Sequence, residues 1–158
     1  MTIFVKATMP PLPKKPRAVR IALVYAGILV MFAITQLFSF DQFLVVVRDF
    51  ALPGGKPGAY FLATVIVIAE VFALPFLLRM QVSVAMRYLS MAMGWLVALL
   101  WTGITVWLVA TDSNVTNIGV FGDVVSFVPG WLAVFCSLGL AGLSVVASLG
   151  MWPNLRKK

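Results

Sequence analysis

The sequence of 158 residues contains no histidine and a single cysteine, Cys136. Without histidine the chain lacks the most common haem ligand, the most common zinc ligand and the usual general base near neutral pH. A lone cysteine excludes an intramolecular disulfide and a Cys-X-X-Cys redox pair. Composition therefore excludes chemistry that depends on imidazole or on paired thiols, and we predict no metal site.

Charged residues are also scarce, at 11% of the chain, and only five of them are acidic. Hydrophobic residues make up 62%, and the mean hydropathy is +1.05. If this chain folded as a soluble domain, it would have too few polar residues to cover its surface. The chain is therefore predicted to be a single-domain, polytopic membrane protein whose first partner is the lipid bilayer.

Four apolar segments, each of about twenty residues or more, are long enough to cross the ~30 Å hydrocarbon core of a bilayer. They predict an all-α fold, a bundle of four transmembrane helices within residues 18–152. The spans are expected near 18–38, 58–78, 82–110 and 131–152. Residues 1–17 are rich in proline and lysine and are predicted to be a disordered tail, and 153–158 form a second basic tail.

Residues 40–52, between the first two spans, have the pattern of a short amphipathic helix. Phe40 and Phe43 fall on its apolar face, while Arg48 and Asp49 fall on its polar face. This predicts an interfacial helix rather than a fifth span. A partner-docking surface is the second interpretation of the charged pair.

The basic residues indicate the orientation of the chain. Ten of the twelve lie before or near the start of the first span, from the end of the second span to the start of the third, or after the fourth, whereas four of the five acids lie in the other gaps. This is the positive-inside distribution, so both termini are predicted to be cytoplasmic, in a bacterial inner membrane. The charge follows the topology, and the net charge of +7 does not indicate a nucleic-acid partner.

The second span carries one carboxylic acid, Glu70. A carboxylate inside a bilayer costs about 2.5–3.5 kcal/mol even on the lower scales, so it must face protein or a cavity, or be protonated. Pro75 follows five residues later and predicts a bend or an unpaired carbonyl one turn away. Glu70 is therefore the candidate functional residue.

Small residues recur in the third and fourth spans at spacings typical of close helix contacts. Tryptophans also lie inside the third span, where they fill a bundle more often than they hold a cofactor. The candidate packing residues are Ser90, Gly94, Ala98, Thr102, Gly139 and Gly142, and the candidate cofactor-lining residues are Tyr60, Trp95 and Trp101.

The loop 111–130, before the last span, is the longest connection. Asp112 and Asp123 within it are two carboxylates far short of a calcium-site signature. The loop is therefore predicted to be solvated.

Several short motifs together resemble the DoxX/MauE group of small four-helix membrane proteins. They are Ala26-Gly27 followed by the phenylalanine-rich segment, Ala51-Leu52-Pro53, Ala69-Glu70, and Ile118-Gly119-Val120-Phe121-Gly122. The last is similar to the Cys-Gly-Cys-Phe-Gly segment of MauE-like proteins. The resemblance covers about residues 20–150 and implies a redox-associated membrane module.

The chain departs from that pattern at the positions that carry chemistry. Ile118 and Val120 stand where both cysteines would be, and thiol exchange requires a thiolate. Gln36 stands near the position where many DoxX-like proteins carry a lysine, so it offers Glu70 no charge pair. The resemblance thus implies the scaffold of the group without its thiol chemistry.

Three functions fit these observations. The first is a non-catalytic membrane subunit or assembly factor, packed against other subunits or a second copy of itself. The second, which rests on the resemblance, is a quinone-linked oxidoreductase component in which Glu70 handles protons. The third is a small proton-coupled carrier built around Glu70.

Overall fold

The computed structural model of the chain describes residues 7–10, 12–13, 16–112, 114–122 and 124–152. Within these ranges the fold is all-helical, with two isolated β-bridges and no strand. The helices are α1 (Pro16–Phe38), α2 (Phe40–Asp49), α3 (Gly55–Leu77), α4 (Val84–Ala110) and α5 (Trp131–Gly150).

Four of these helices, α1, α3, α4 and α5, are long and apolar enough to cross a membrane. The prediction of a four-span membrane bundle with a short helix between the first two spans is therefore confirmed. The chain is a multi-pass membrane protein, and its exposed apolar side chains indicate contact with the bilayer.

The helices pack so that α3 contacts α1, α2 and α4, while α5 lies against α1 and α4. Four spans place the start of α1 and the end of α5 at one end of the bundle, which we name the proximal end. The opposite end, the distal end, carries α2 and the loop between α4 and α5. Alanines without exposed surface, such as Ala22 and Ala63, let the backbones approach closely.

Pro75 lies inside α3, as its position in the sequence indicates. Beside it the backbone N–H of Phe76 donates to Ser90 Oγ on α4 at 2.8 Å, and the Ser90 hydroxyl donates to the Ala73 carbonyl at 3.1 Å. One buried serine thus pairs a donor and an acceptor of the neighbouring helix next to the proline. Ser90, predicted only as a small packing residue, also connects α3 to α4.

The segment before α1 is held at the proximal end. Thr8 forms a β-bridge with Val82, and Arg87 donates from Nη2 to the Thr8 carbonyl at 2.9 Å. Arg87 is buried beneath this segment, so it contacts protein rather than lipid headgroups. The disorder predicted for 1–17 falls in part on residues 1–6, 11 and 14–15, outside the described residues. The basic tail 153–158 also lies outside them.

Candidate functional site

Glu70 lies in α3 and is completely enclosed, with 0% of its surface exposed. Its Oε1 accepts a hydrogen bond from the indole Nε1 of Trp101 on α4 at 3.1 Å. The same oxygen accepts a longer bond from Gln36 Nε2 on α1 at 3.4 Å. The acid therefore faces protein, and its side chain joins three of the four spans.

Gln36 also reaches the distal end of the molecule. Its Nε2 donates to the backbone carbonyl of Val120 at 3.0 Å. Val120 belongs to residues 117–122, which we name the distal segment. The network around Glu70 thus includes this segment as well as α1, α3 and α4.

Asn117 organises the distal segment from within. Its Oδ1 accepts from the backbone N–H groups of Gly119 and Phe127 at 2.9 and 3.2 Å, and its Nδ2 donates to the Gly122 carbonyl at 3.0 Å. Ile118 and Phe127 are further joined by a backbone hydrogen bond of 2.8 Å. These bonds fold the segment into a fixed turn that covers the distal end of the bundle.

Two glycines allow this turn to lie against the helices. Gly119 and Gly122 have φ angles of +72° and +60°, which L side chains rarely adopt. A Cβ on Gly122 would lie 2.9 Å from the Thr35 carbonyl oxygen, and one on Gly119 would lie 3.0 Å from Val46 Cγ1. The glycines therefore provide both the backbone conformation and the close contact.

Two atoms of the network have no hydrogen-bond partner among the described residues, Glu70 Oε2 and Gln36 Oε1. The two side chains that bond Glu70 are both uncharged, so no cation of the described part of the chain balances a carboxylate there. Full enclosure and uncharged donors are typical of an acid whose role is to hold helices together by hydrogen bonds. A transferable proton would need a path to solvent or ligand, and the enclosed carboxyl group faces none.

A cavity of about 610 Å³ lies beside this network, in the distal half of the bundle. It is bounded by α1, α4, α5 and the distal segment. Its walls are mainly apolar, and its lining residues include Phe32, Trp101, Val120, Phe121, Leu140 and Leu143.

Trp101 separates the cavity from Glu70. Its ring lines the cavity while its N–H points to the carboxyl group, and Glu70 itself is not among the lining residues. Phe32 packs edge-on against Trp101 at 6.4 Å and against Phe121 at 5.2 Å between ring centroids. These three rings form a continuous aromatic wall, so a molecule in the cavity touches Trp101 and not the acid.

The other two residues predicted to line a cofactor pocket lie elsewhere. Tyr60 is 42% exposed near the start of α3, and Trp95 is half-buried in the proximal half of α4. Neither lines the cavity. Of the three predicted residues, the structure brings only Trp101 together with both the cavity and the candidate acid.

The predicted packing residues divide into two groups. Those of α4 face the bundle interior, where Ala98 is buried and the Gly94 carbonyl accepts from the Tyr25 hydroxyl at 2.7 Å. Thr102 is half-buried and donates to the Ala98 carbonyl of its own helix. Gly139 and Gly142 lie on the outward face of α5, and a Cβ on either would meet no atom within 4 Å.

The predicted interfacial residues divide in a similar way. Phe43 is fully buried, and its ring would lie 3.2 Å from a Cβ on Gly119. Phe40 is half-buried, while Arg48 and Asp49 form an ion pair of 3.0 Å on the outside of α2. The phenylalanine face of α2 thus anchors the distal segment, and the charged face remains outward.

Metal-type ligands are not grouped anywhere in the described ranges, where no three His, Cys, Asp or Glu residues lie together. Asp112 is described and has a positive φ, whereas Asp123 lies outside the described residues.

Sequence reasoning did not identify the distal segment as part of the site. Its contribution is a main-chain carbonyl, which leaves no mark in side-chain chemistry. From the sequence, Gln36 was expected to offer Glu70 no charge pair, and the available signal for its hydrogen bond was an amide near the end of a span next to one that carries a buried acid.

No family model, curated protein or solved structure matches the chain. The resemblance to the DoxX/MauE group therefore stays a prediction that rests on the motifs alone.

Proposed function

We propose that this protein is a non-catalytic subunit or assembly factor of a larger membrane complex. One observation carries the proposal: the intramembrane acid Glu70 is enclosed and hydrogen-bonded by Gln36 and Trp101 of the same chain. Its contacts are those of a group that fixes the positions of helices. We further propose a bacterial inner membrane with the proximal end in the cytoplasm, since the basic residues concentrate there.

The outward face of α5 supports docking of a partner helix. Gly139 and Gly142 expose backbone there, and Leu132, Phe135 and Leu138 stand exposed beside them. Small residues let a second helix approach closely, and in lipid that packing replaces the hydrophobic effect as the attraction between helices. The exposed Arg48–Asp49 pair at the distal end adds a polar contact outside the hydrocarbon.

Affinity purification from native membranes tests the proposal. The tagged chain, extracted in a mild detergent, is expected to migrate with other polypeptides at a mass well above that of its own monomer. A bulky side chain in the docking face, Gly142→Phe, is expected to release those polypeptides. Gly103→Phe is the matched control, because Gly103 is an exposed glycine of α4 whose Cβ would also meet open space. Recovery of the unaltered chain only as a free monomer would refute the proposal.

A quinone-linked role is the second candidate, and one observation favours it. Trp101 connects an apolar cavity large enough for a small molecule to the buried acid. Binding of a quinone to the purified protein, compared with Glu70→Gln and Trp101→Phe, tests this role, because reduction itself would need electrons from a donor protein. Affinity that falls in both variants would favour this role over the subunit proposal, and absence of binding would leave the subunit proposal alone.

The carrier alternative from the sequence receives no such support. A carrier needs a carboxyl group that alternates between two solvent-exposed states, and Glu70 faces neither a cavity nor the surface. Proton flux in liposomes that is equal for the protein and for empty vesicles would remove this alternative.

A further inference from the structure

The cavity beside Trp101 reaches the lipid-facing surface of the bundle. Met31 of α1 and both Cys136 and Gly139 of α5 line it, and all three residues are exposed. The opening therefore lies between α1 and α5, within the hydrocarbon depth of the spans. A molecule that enters there comes from the bilayer rather than from water.

The polar groups along the cavity wall are already paired. The Thr105 hydroxyl lies 2.9 Å from both the Trp101 carbonyl and Ser137 Oγ, and Ser137 Oγ lies 2.8 Å from the Val134 carbonyl. The indole N–H of Trp101 is directed to Glu70. Among the described lining residues only the Cys136 thiol, a weak donor, remains available, so a water molecule would find too few partners there.

The volume indicates the size of the occupant. A methylene group takes roughly the volume of a water molecule, ~30 Å³. A cavity of about 610 Å³ therefore holds a chain of roughly twenty carbons. An empty apolar space of this size would forfeit the dispersion contacts of its whole lining, so a filled cavity is strongly favoured.

We propose that this cavity is a binding site for one acyl chain of a membrane phospholipid, which enters between α1 and α5. The wall contacts hydrocarbon along its length and offers no free strong donor to a polar headgroup. The phospholipid headgroup stays at the distal membrane surface, near the exposed Trp131 at the start of α5. This inference does not rest on the proposed subunit function. Gly139 belongs both to the opening and to the proposed docking face, so the lipid chain enters the free protein and a docked partner helix would cover the opening.

The geometry of Trp101 supplies a direct test. Trp101 is one of the lining residues, and only 1% of it is exposed, so a chain in the cavity lies close to the indole whereas a chain on the outside of the bundle lies farther away. The other four tryptophans are replaced by phenylalanine, and the full chain is reconstituted in phosphatidylcholine that carries increasing fractions of brominated acyl chains. The expected result is at least threefold quenching of Trp101 fluorescence that saturates as the brominated fraction rises.

Two glycine variants provide the matched comparison. Gly139→Phe places a ring in the cavity lining and is expected to reduce the quenching at least threefold. Gly103→Phe adds the same ring at an exposed glycine of α4, outside the lining, and is expected to leave the quenching unchanged. Absence of quenching, or equal quenching in both variants, would overturn the proposal. Geranylgeraniol and unlabelled phosphatidylcholine are then compared as competitors of the brominated lipid. If geranylgeraniol restores the fluorescence at a lower fraction, the cavity binds an isoprenoid chain and the proposal is overturned.

A second measurement uses the unaltered chain and does not depend on the tryptophan replacements. A phosphatidylcholine with a photoreactive diazirine on its acyl chain is crosslinked to the reconstituted protein at increasing dilution in unlabelled lipid. Labelling of Leu140 in the cavity is expected to persist at dilutions that abolish labelling of Leu149 on the outer surface. Equal loss at both positions would show ordinary lipid contact only and would overturn the proposal.

Discussion

Replacement of Glu70 by two different neutral side chains separates its role as an acceptor from any role of its charge. Glu70→Gln keeps a carbonyl oxygen at the position of Oε1, whereas Glu70→Leu has a similar size and no acceptor. In the leucine variant the indole N–H of Trp101 loses the partner that it has at 3.1 Å. Gln36 keeps its bond to the Val120 carbonyl and loses only its longer bond of 3.4 Å to Glu70, so the indole N–H is the main buried donor that is orphaned.

The magnitude follows from the cost of that donor. A buried donor without a partner costs about 1–3 kcal/mol in proteins. Hydrogen bonds inside membrane bundles average about 0.6 kcal/mol and reach about 1.7, because the unfolded chain in the bilayer also finds partners. We therefore expect Glu70→Leu to be about 1–2 kcal/mol less stable than Glu70→Gln. Glu70→Gln itself is expected within about 0.5 kcal/mol of the parent, since most of the bonding geometry is retained.

Reversible unfolding of the purified protein in mixed micelles with increasing dodecyl sulfate measures both differences. The same two substitutions in a Trp101→Phe background supply the control, because no indole N–H remains to be orphaned. There the gap between leucine and glutamine is expected to shrink below about 0.5 kcal/mol. A gap that persists in that background, or a glutamine variant as unstable as the leucine variant, would refute the hydrogen-bond account of Glu70.

Three further substitutions test other parts of the structure by the same unfolding assay or by proteolysis. Ser90→Ala is expected to cost about 1–3 kcal/mol, because a backbone N–H and a carbonyl beside the proline of α3 lose their partner together. Gly122→Ala is expected to cost at least about 2 kcal/mol, since it adds a contact with α1 to an unfavourable φ. Arg87→Met is expected to speed tryptic cleavage near residue 14 several-fold, because the guanidinium group no longer holds the segment before α1.

Each of these has a matched control. Ser148→Ala removes a buried hydroxyl that donates to the Val145 carbonyl of its own helix, so a loss equal to that of Ser90→Ala would contradict the bridging role. Gly55→Ala has a φ of +61° with no atom within 4 Å of the added Cβ, so it isolates backbone strain from the contact at Gly122. Arg20→Met removes the same charge from an exposed position, and equal cleavage in both arginine variants would attribute the effect to charge alone.

The architecture could be predicted from the sequence because the length of an apolar segment directly indicates whether it can span a membrane. Spans predicted at 58–78 and 131–152 are helices Gly55–Leu77 and Trp131–Gly150. In a bilayer the backbone must satisfy its own hydrogen bonds, so a long apolar segment has few conformations other than a helix. The amphipathic pattern of 40–52 was equally informative, and helix α2 ends at Asp49.

The site was only partly predictable, for a reason visible in particular residues. Glu70 was identifiable because a buried carboxyl group is costly wherever it lies in a span. The side of α3 that it faces depends on packing, so its bond to Trp101 was not predicted. Ile118 and Phe127 were expected to belong to a solvated loop. Ile118 is instead buried and donates to the Phe127 carbonyl, and the Phe127 N–H donates to Asn117. A contact made by a main-chain atom does not depend on the residue type, so it could not be inferred from the sequence.

The bond from Gln36 to the carbonyl of Val120 has a consequence for tolerance to mutation. Because the Gln36 amide bonds to a main-chain carbonyl, the bond does not depend on the side chain at position 120. The buried positions of Ile118 and Val120 require only that their side chains be apolar. A library randomised at those two positions should return many aliphatic and aromatic combinations with the turn intact. The same library at Gly119 and Gly122 should return almost nothing but glycine.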